Sequence, residues 1–387
     1  MNFKDTVAVI GAGCCKFGEN YHQSTEDMIV DAAFEAYADA GIDPRRIQAA
    51  WVGTMASGAS GVALADPLKL FNIPITRVEN YCASGMDAFR NACMAVAAGM
   101  YDVVLALGFE KLRDSGQRGL GAAASHPHPV VGHGTTAPSL FAMAANRYFR
   151  TYGIGKEALA QVAIKNHHNG TMSPKAHFQM EVTADQVLKA PLICSPLGLF
   201  DCCPTTDGAA AAIVCRKELA KQFRPDPIAV RGIGLAVTSG EPYMKPGFAY
   251  TGFPATTYAA QSAYEQAGVT AKDIDLAEVH DCFTITEILN YEDLGFCKRG
   301  EGGHFVADGR ASIGGELPVN PSGGLCSRGH PVGATGLLQI CELVWQMRGE
   351  AGERQIEKRP KVTLAQNQGG LLLGQDSAVY GCTILKS

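Results

Sequence analysis

Two stretches of this chain, Asp31 to Thr54 and Tyr258 to Asp281, superpose without gaps at one constant offset. Ala32, Ala33, Ala36 and Tyr37 fall on Ala259, Ala260, Ala263 and Tyr264, while Ala40 and Gly41 fall on Ala267 and Gly268. Further on, Ile47, Ala50 and Val52 fall on Ile274, Ala277 and Val279. Each copy reads as a helix stopped by a glycine, followed by a short apolar strand. Chance aligns a few alanines, but it does less well at putting the helix-ending glycine, the tyrosine and the strand valine in one frame. The repeat therefore implies two similar α/β halves. At 387 residues the chain also exceeds what one hydrophobic core usually serves. If the halves pack about a pseudo-twofold axis, turns at corresponding strand ends face a shared cleft.

The remaining segments fit around that frame. Thr6 to Gly11 reads as a buried strand, and the Gly11-Ala12-Gly13 turn after it lacks the third glycine and the helix start of a dinucleotide fingerprint. Helical periodicity runs from Asp27 to Ala40 behind Ser24, with strands expected at Ile47–Val52 and Tyr101–Gly108. From about Lys111 to Thr206 the alternation breaks. Gly116 to Ser139 is rich in Gly, Ala, His and Pro, helices are expected at Leu140–Tyr152 and Lys156–Asn169, and the stretch up to Pro204 looks irregular. An insertion on a rigid sheet is where a binding surface is expected. The core resumes at Asp207–Cys215, and Phe223–Pro227 reads as a linker. The expected organisation is an N-terminal half over residues 1–110 resuming at 207–225, an insertion over 111–206, and a C-terminal half over 226–387.

Composition removes several function classes. A formal net charge of −5 gives no polyanion-binding surface, so nucleic acid is not an expected partner. No run of some 18 apolar residues or N-terminal signal segment is present, so no membrane association is expected. The thirteen cysteines are odd in number, follow no CxxC spacing and sit in apolar segments, which fits a reducing, cytoplasmic setting. The adjacent pairs Cys14-Cys15 and Cys202-Cys203 read as small packing residues, since neighbouring cysteines rarely reach disulfide geometry. His126, His128 and His133, with His167-His168, lack carboxylates or cysteines at ligand spacing, so no metal is expected.

Four motifs carry candidate chemistry. Cys82, in Asn80-Tyr81-Cys82-Ala83-Ser84-Gly85-Met86, lies where an extended pattern turns helical, and a helix start is expected to lower its pKa. A lone cysteine before an Ala-rich helix is also a common packing residue. His280-Asp281-Cys282-Phe283 follows the strand Leu276–Val279, where catalytic groups often sit. His330 lies in a glycine-bounded turn leading into a helix over Leu337–Met347, and glycines of that density admit a ligand close to the backbone. Gln366-Asn367-Gln368-Gly369-Gly370-Leu371-Leu372-Leu373-Gly374 follows the strand Lys361–Ala365, and its N–H groups suit an oxyanion site. Each of these motifs also has a structural reading.

Taken together and in order, these blocks resemble the thiolase superfamily, and within it the sterol-carrier-protein-type thiolases. The resemblance also rests on Gly108-Phe109-Glu110-Lys111, Asp201-Cys202-Cys203-Pro204-Thr205-Thr206-Asp207-Gly208-Ala209-Ala210 and Asn320-Pro321-Ser322-Gly323-Gly324. It implies a thiolase fold with two βαβαβαββ halves, a five-layer αβαβα core and an inserted loop domain. It also implies a homodimer or tetramer, a CoA thioester substrate, coenzyme A as co-substrate with no covalently bound cofactor, and a small OB-fold zinc-ribbon protein as a partner. Better-known thiolases carry a Cys-x-Gly motif near the C-terminus; here Asn367-Gln368-Gly369 stands there without a thiol. The resemblance then gives the acid/base duty to Cys282, with Cys326 as a substitute.

By that resemblance Cys82 is the acyl carrier, His330 its base, His280 and His330 the holders of the enolate oxygen, and the N–H groups of Cys82 and Gly369 the oxyanion donors. Positions for the CoA nucleotide stay unassigned, Lys165 being a bare suggestion. Two rival activities are expected to be distinguishable: a thiolase-like retro-aldol lyase, which needs no nucleophilic cysteine, and a non-catalytic acyl-CoA or lipid binder.

Overall fold

The structure, a computed structural model, describes residues 6–114, 136–238, 247–370 and 379–387. The two repeat copies fold alike, element for element. Helix Thr25–Ala40 is capped by Ser24, whose hydroxyl accepts from the Asp27 N–H while Asp27 accepts from the Ser24 N–H. Gly41 ends this helix at φ 61°, and its counterpart Gly268 ends helix Pro254–Ala267 at φ 67°, the left-handed conformation that glycine adopts without penalty. A 3-10 turn follows in each, Pro44–Arg46 and Ala271–Asp273, and then a strand.

The strands are β1 (Val7–Cys14), β2 (Ala49–Gly53), β3 (Ile75–Val78), β4 (Val103–Glu110), β5 (Leu192–Cys194), β6 (Leu197–Gly198), β7 (Gly208–Arg216), β8 (Ile228–Val237), β9 (Leu276–Glu278), β10 (Val362–Gly369) and β11 (Val379–Lys386). Nine of them form one sheet in the order β3-β2-β4-β7-β1-β8-β11-β10-β9. The halves are joined by a short antiparallel seam in which Val7, Ala8 and Val9 of β1 face Val230, Ala229 and Ile228 of β8. Parallel pairing holds β2 to β3 and β4 in the first half and β9 to β10 in the second; β7 and β11 run antiparallel beside them.

Helix contacts give the layer order. Thr25–Ala40 covers β1, β4 and β7 on one outside, and Pro254–Ala267 covers β8 and β11 on the other. Helices Ser84–Ala97 and Thr335–Arg348 pack on each other, and Thr335–Arg348 touches strands of both halves. Every residue of Thr335–Arg348 except Trp345 is buried. A helix enclosed on all sides belongs to a middle layer, which completes the expected α/β core of five layers. Among its buried polar groups, Gln339 donates to the Gln366 carbonyl and Glu342 pairs with Arg354.

Between β4 and β7 the chain leaves the sheet and forms helices Ala137–Tyr152, Lys156–Thr171 and Ala184–Lys189 and the β5/β6 hairpin. The last helix and the hairpin lie in the stretch expected to be irregular; each is too short to print a periodic pattern in sequence. The linker expected at Phe223–Pro227 is tied down, because Arg224 bonds Asp39, Asp226 and Glu350. His126, His128, His133 and Leu371 to Gly374 lie outside the described residues. Among the described residues no helix is long and apolar enough to cross a membrane.

Candidate active site

Cys82 sits on the turn between β3 and helix Ser84–Ala97. Tyr81 takes φ 51°, unusual for a residue with a side chain, and Ser84 braces the turn by donating to the Tyr81 carbonyl and accepting from the Asn80 N–H. The helix begins two residues past the sulfur, and the thiol is buried among Leu112, Val332 and Met55. Burial pushes its pKa up to about 12, with Glu110 adding to the rise. The nearby N–H groups of Gly370 and of Cys82 itself oppose that rise without cancelling it. The expectation of a lowered pKa is therefore overturned: loss of hydration outweighs the helix terminus. Cys82 rests as a thiol and needs a base.

His330 carries a candidate nitrogen. Its Nδ1 lies 2.7 Å from Thr335 Oγ1, and that hydroxyl already donates its only hydrogen to the Pro331 carbonyl. Nδ1 is thus the donor, and Nε2 carries the free lone pair. Nε2 is buried without a partner among the described residues. Burial, reinforced by the Arg328 charge, holds the pKa of His330 down to about 3. The turn is fixed at Gly333, where a Cβ would stand 2.5 Å from both the Gly53 and Phe109 carbonyls. Glu110 binds the same turn through the Gly333 N–H, together with the N–H groups of Met55, Ala56 and Ser57. Asp207 does a like service beyond β4, accepting from Asn20, Leu112 and Arg113 N–H groups.

His280 follows β9, its ring 5.1 Å from that of His330 and nearly perpendicular. Asn367 Nδ2 lies 3.1 Å from His280 Nδ1, which leaves Nε2–H as the outward donor. Its backbone is clamped on both sides, the N–H by Gln366 and the carbonyl by Asn290. Burial, with His330 and Arg328 nearby, keeps this imidazole neutral far below its ordinary titration range.

Cys282 is buried beside Thr286, and its thiol pKa is pushed well up by burial and then by Cys203 and Cys82. Cys203, which bonds the Cys282 carbonyl through its N–H, lies between Cys282 and the cavity that His330 lines. Cys326 turns elsewhere, its thiol donating to the Asp281 carbonyl at 3.1 Å, and Cys82 is not among the groups that shift it. Gly369, the expected oxyanion donor, is pressed against the Cys82 turn, where a Cβ would stand 2.8 Å from the Cys82 nitrogen. The amide that reaches the sulfur is that of Gly370, one residue on.

Lys165 is a core residue and not the suggested nucleotide contact. It is buried, pairs with Glu287 at 2.9 Å and donates to Asn166 and the Val319 carbonyl, so it meets no nucleotide. Cys203, expected to be a small packing residue, borders the site. All thirteen cysteines are free, but Cys203, held by its N–H to the Cys282 carbonyl, lines a cavity of 120 Å³ with His330, Leu112, Ala137 and Phe283. Its thiol pKa is also raised by Cys82, after burial and Cys202. Thr335 and Asn367, which set the imidazole tautomers, were likewise missed; only their spacing from His330 and Gly369 hinted at them.

The bare imidazole nitrogen of His330 lines the small cavity, with the His280 ring packed on it and the protonated thiols of Cys82 and Cys282 on the adjoining turns. Profiles for the N-terminal domain of thiolase and for a thiolase C-terminal domain-like region match residues 7–218 and 245–382. An acetyl-CoA acetyltransferase of Methanothermobacter thermautotrophicus is 44% identical over 97% of this chain and 98% of its own length. Sterol carrier protein 2 of Rattus norvegicus is 37% identical over 94% of this chain and 70% of its own length. A solved Ltp2-ChsH2(DUF35) aldolase superposes with a TM-score of 0.87 at 27% identity, covering 100% of this chain and 98% of that one. On those matches, spanning both halves, the chain belongs to the thiolase family.

Proposed function

We propose that the protein is a CoA-dependent thiolase that cleaves a 3-oxoacyl-CoA, or runs the reverse Claisen condensation, through an acyl group on Cys82. One observation carries the reading: the buried, partnerless Nε2 of His330, on a cavity lined also by Leu112, against which Cys82 packs. His330 Nε2 takes the Cys82 proton, and the thiolate attacks the 3-oxo carbon. The N–H groups of Cys82 and Gly370 stabilise the resulting oxyanion, each donor contributing about 3 kcal/mol. Cleavage of the C2–C3 bond leaves the acyl group on Cys82 and an acetyl-CoA enolate, whose oxygen is held by the Nε2–H groups of His280 and protonated His330. Cys282 protonates the enolate carbon. The Cys282 thiolate then takes the proton of incoming CoA, CoA accepts the acyl group, and Cys82 recovers its proton from His330.

Mass spectrometry after incubation with acyl-CoA tests this. An acyl adduct is expected on Cys82, and Cys282→Ala should still acylate but turn over slowly; full thiolysis by that variant would reject Cys282 as proton carrier. The likeness to an aldolase favours a second reading, retro-aldol cleavage of a β-hydroxyacyl-CoA. It requires Cys82→Ala to retain carbon–carbon cleavage and release an aldehyde or ketone. The same likeness supports a small zinc-ribbon partner, because that aldolase is a complex of Ltp2 with ChsH2(DUF35). A homodimer or tetramer in a reducing cytoplasm completes the proposal, the thirteen free cysteines supporting the compartment.

A further inference from the structure

Helix Lys156–Thr171 of the insertion turns a polar edge toward the C-terminal half. Lys165 and Asn169 donate to the Val319 and Asn320 carbonyls at 2.8 and 3.0 Å, and Asn166 beside them reaches the motif that carries Cys282. All three side chains are buried. Buried polar groups persist where their hydrogen bonds are met, and here the partners lie in the loops that carry the candidate site.

Asn166 is fully committed. Its Nδ2 donates to Asp281 Oδ2 and to Glu287 Oε2, each across 2.7 Å, and its Oδ1 accepts from Lys165 Nζ at 2.5 Å. Two carboxylates on one side and an ammonium on the other fix the orientation of the amide, since turning it over would set its oxygen against both carboxylates. Glu287 is anchored by other groups as well, by Lys165 at 2.9 Å, Asn320 Nδ2 at 2.7 Å and the Tyr291 hydroxyl. Asn166 thus ties Asp281 to a fixed point.

Asp281 stands between His280 and Cys282. Its Oδ1 accepts the Leu325 N–H at 2.6 Å, while on Oδ2 the Cys326 N–H is a longer contact at 3.3 Å, so Asn166 makes the short bond to that oxygen. Gly324 leaves room for it: a Cβ there would stand 2.4 Å from Asp281 Oδ2 and 2.8 Å from Asn166 Nδ2. On its other side Cys282 is held through its carbonyl, which accepts the Cys203 N–H at 2.9 Å. The direction of the Cys282 side chain is therefore set by one tether before it and one after it.

We propose that Asn166 is a positioning residue for the Cys282 thiol, acting through Asp281; the proposal rests on the reading of Cys282 as proton carrier. A displacement of about 1 Å in a group that moves a proton costs about 10²-fold in rate, whereas Cys82 and His330 stand on turns that Asn166 does not touch.

Two measurements on the full-length protein separate the thiols. Exchange of the C2 hydrogens of acetyl-CoA in D2O, followed by mass spectrometry, reports the Cys282 thiolate, which removes a hydrogen and returns a deuteron. The rate of Cys82 alkylation by iodoacetamide reports Cys82 and its base. Asn166→Ala should slow exchange about 10²-fold and leave alkylation within about twofold. Asp281→Asn, which removes a buried carboxylate rather than stranding one, should show the same split and decides the matter if the first variant fails to fold. Equal losses in both measurements would make the contact a general constraint on the fold and overturn the proposal, as would exchange at the wild-type rate in either variant. Cys282→Ala tests the underlying reading: exchange that survives there rejects Cys282 as proton carrier and the positioning role with it, whereas exchange lost there and kept in Asn166→Ala rejects the positioning role alone.

Discussion

The Nδ1–H of His330 donates to Thr335 Oγ1 across 2.7 Å, and this one contact decides which nitrogen of the imidazole faces the pocket. Thr335→Val removes the acceptor while keeping the shape. The imidazole then loses its fixed tautomer, and kcat should fall by roughly 10²-fold. Serine at the same position, which restores the hydroxyl, should recover most of it. Comparing the rate of Cys82 alkylation in the two variants checks the claim at the base itself; equal rates would detach Thr335 from His330.

His330 is held neutral, and the sign of its effect on stability follows from that. Its folded pKa, about 3, lies below the ordinary 6.5. Between those values the unfolded chain binds a proton that the folded one does not. The contribution is complete above pH 6.5 and is lost as pH falls toward 3. Relative to wild type, His330→Asn should therefore gain stability progressively on acidification, the difference changing by about 1.4 kcal/mol per pH unit in that window. Urea unfolding of both proteins from pH 7 to pH 4 measures it. A difference that stays constant with pH would contradict the buried neutral state.

Lys165→Met should leave Glu287 as an uncompensated buried carboxylate and cost about 3–5 kcal/mol of stability. In protein that still folds, the KM for coenzyme A should stay within about twofold, since this lysine points into the core. A large KM effect with unchanged stability would return Lys165 to the nucleotide.

Cys203 borders the cavity beside His330. Cys203→Ser should change acyl transfer little, whereas Cys203→Met fills part of a 120 Å³ space and should lower kcat/KM about tenfold or more, most for the longest acyl chains. Steady-state kinetics over a series of acyl-CoA lengths reads this. Equal losses at every length would place the thiol outside the acyl path.

A buried carboxylate holds the catalytic turns together. Glu110 accepts from four backbone N–H groups belonging to segments on either side of the site. Glu110→Gln puts an amide donor where only acceptors fit, and it should cost about 3 kcal/mol by urea unfolding. A loss under about 0.5 kcal/mol would mean that those loops are held by something else.

Sequence alone carried the paired architecture, because its signals are local. The alanine periodicity, the αL glycines Gly41 and Gly268 and the strands behind them depend on neighbours within a few residues, so each copy announces itself and the repeat announces two halves. Cys82, His280, Cys282 and His330 stand out as candidates for the same reason, each beside a glycine-rich or strand-ending turn. What only the tertiary structure decided is the state of those groups. A helix start argued for an acidic Cys82, yet enclosure by Leu112 and Val332 reverses the direction, and hydration is lost only when distant segments close over the sulfur. His330 takes its tautomer from a hydroxyl committed elsewhere, Lys165 finds its carboxylate at Glu287, and the amide at the sulfur comes from Gly370. Protonation and hydrogen-bond direction are set by partners far away in the chain, and no local pattern records them.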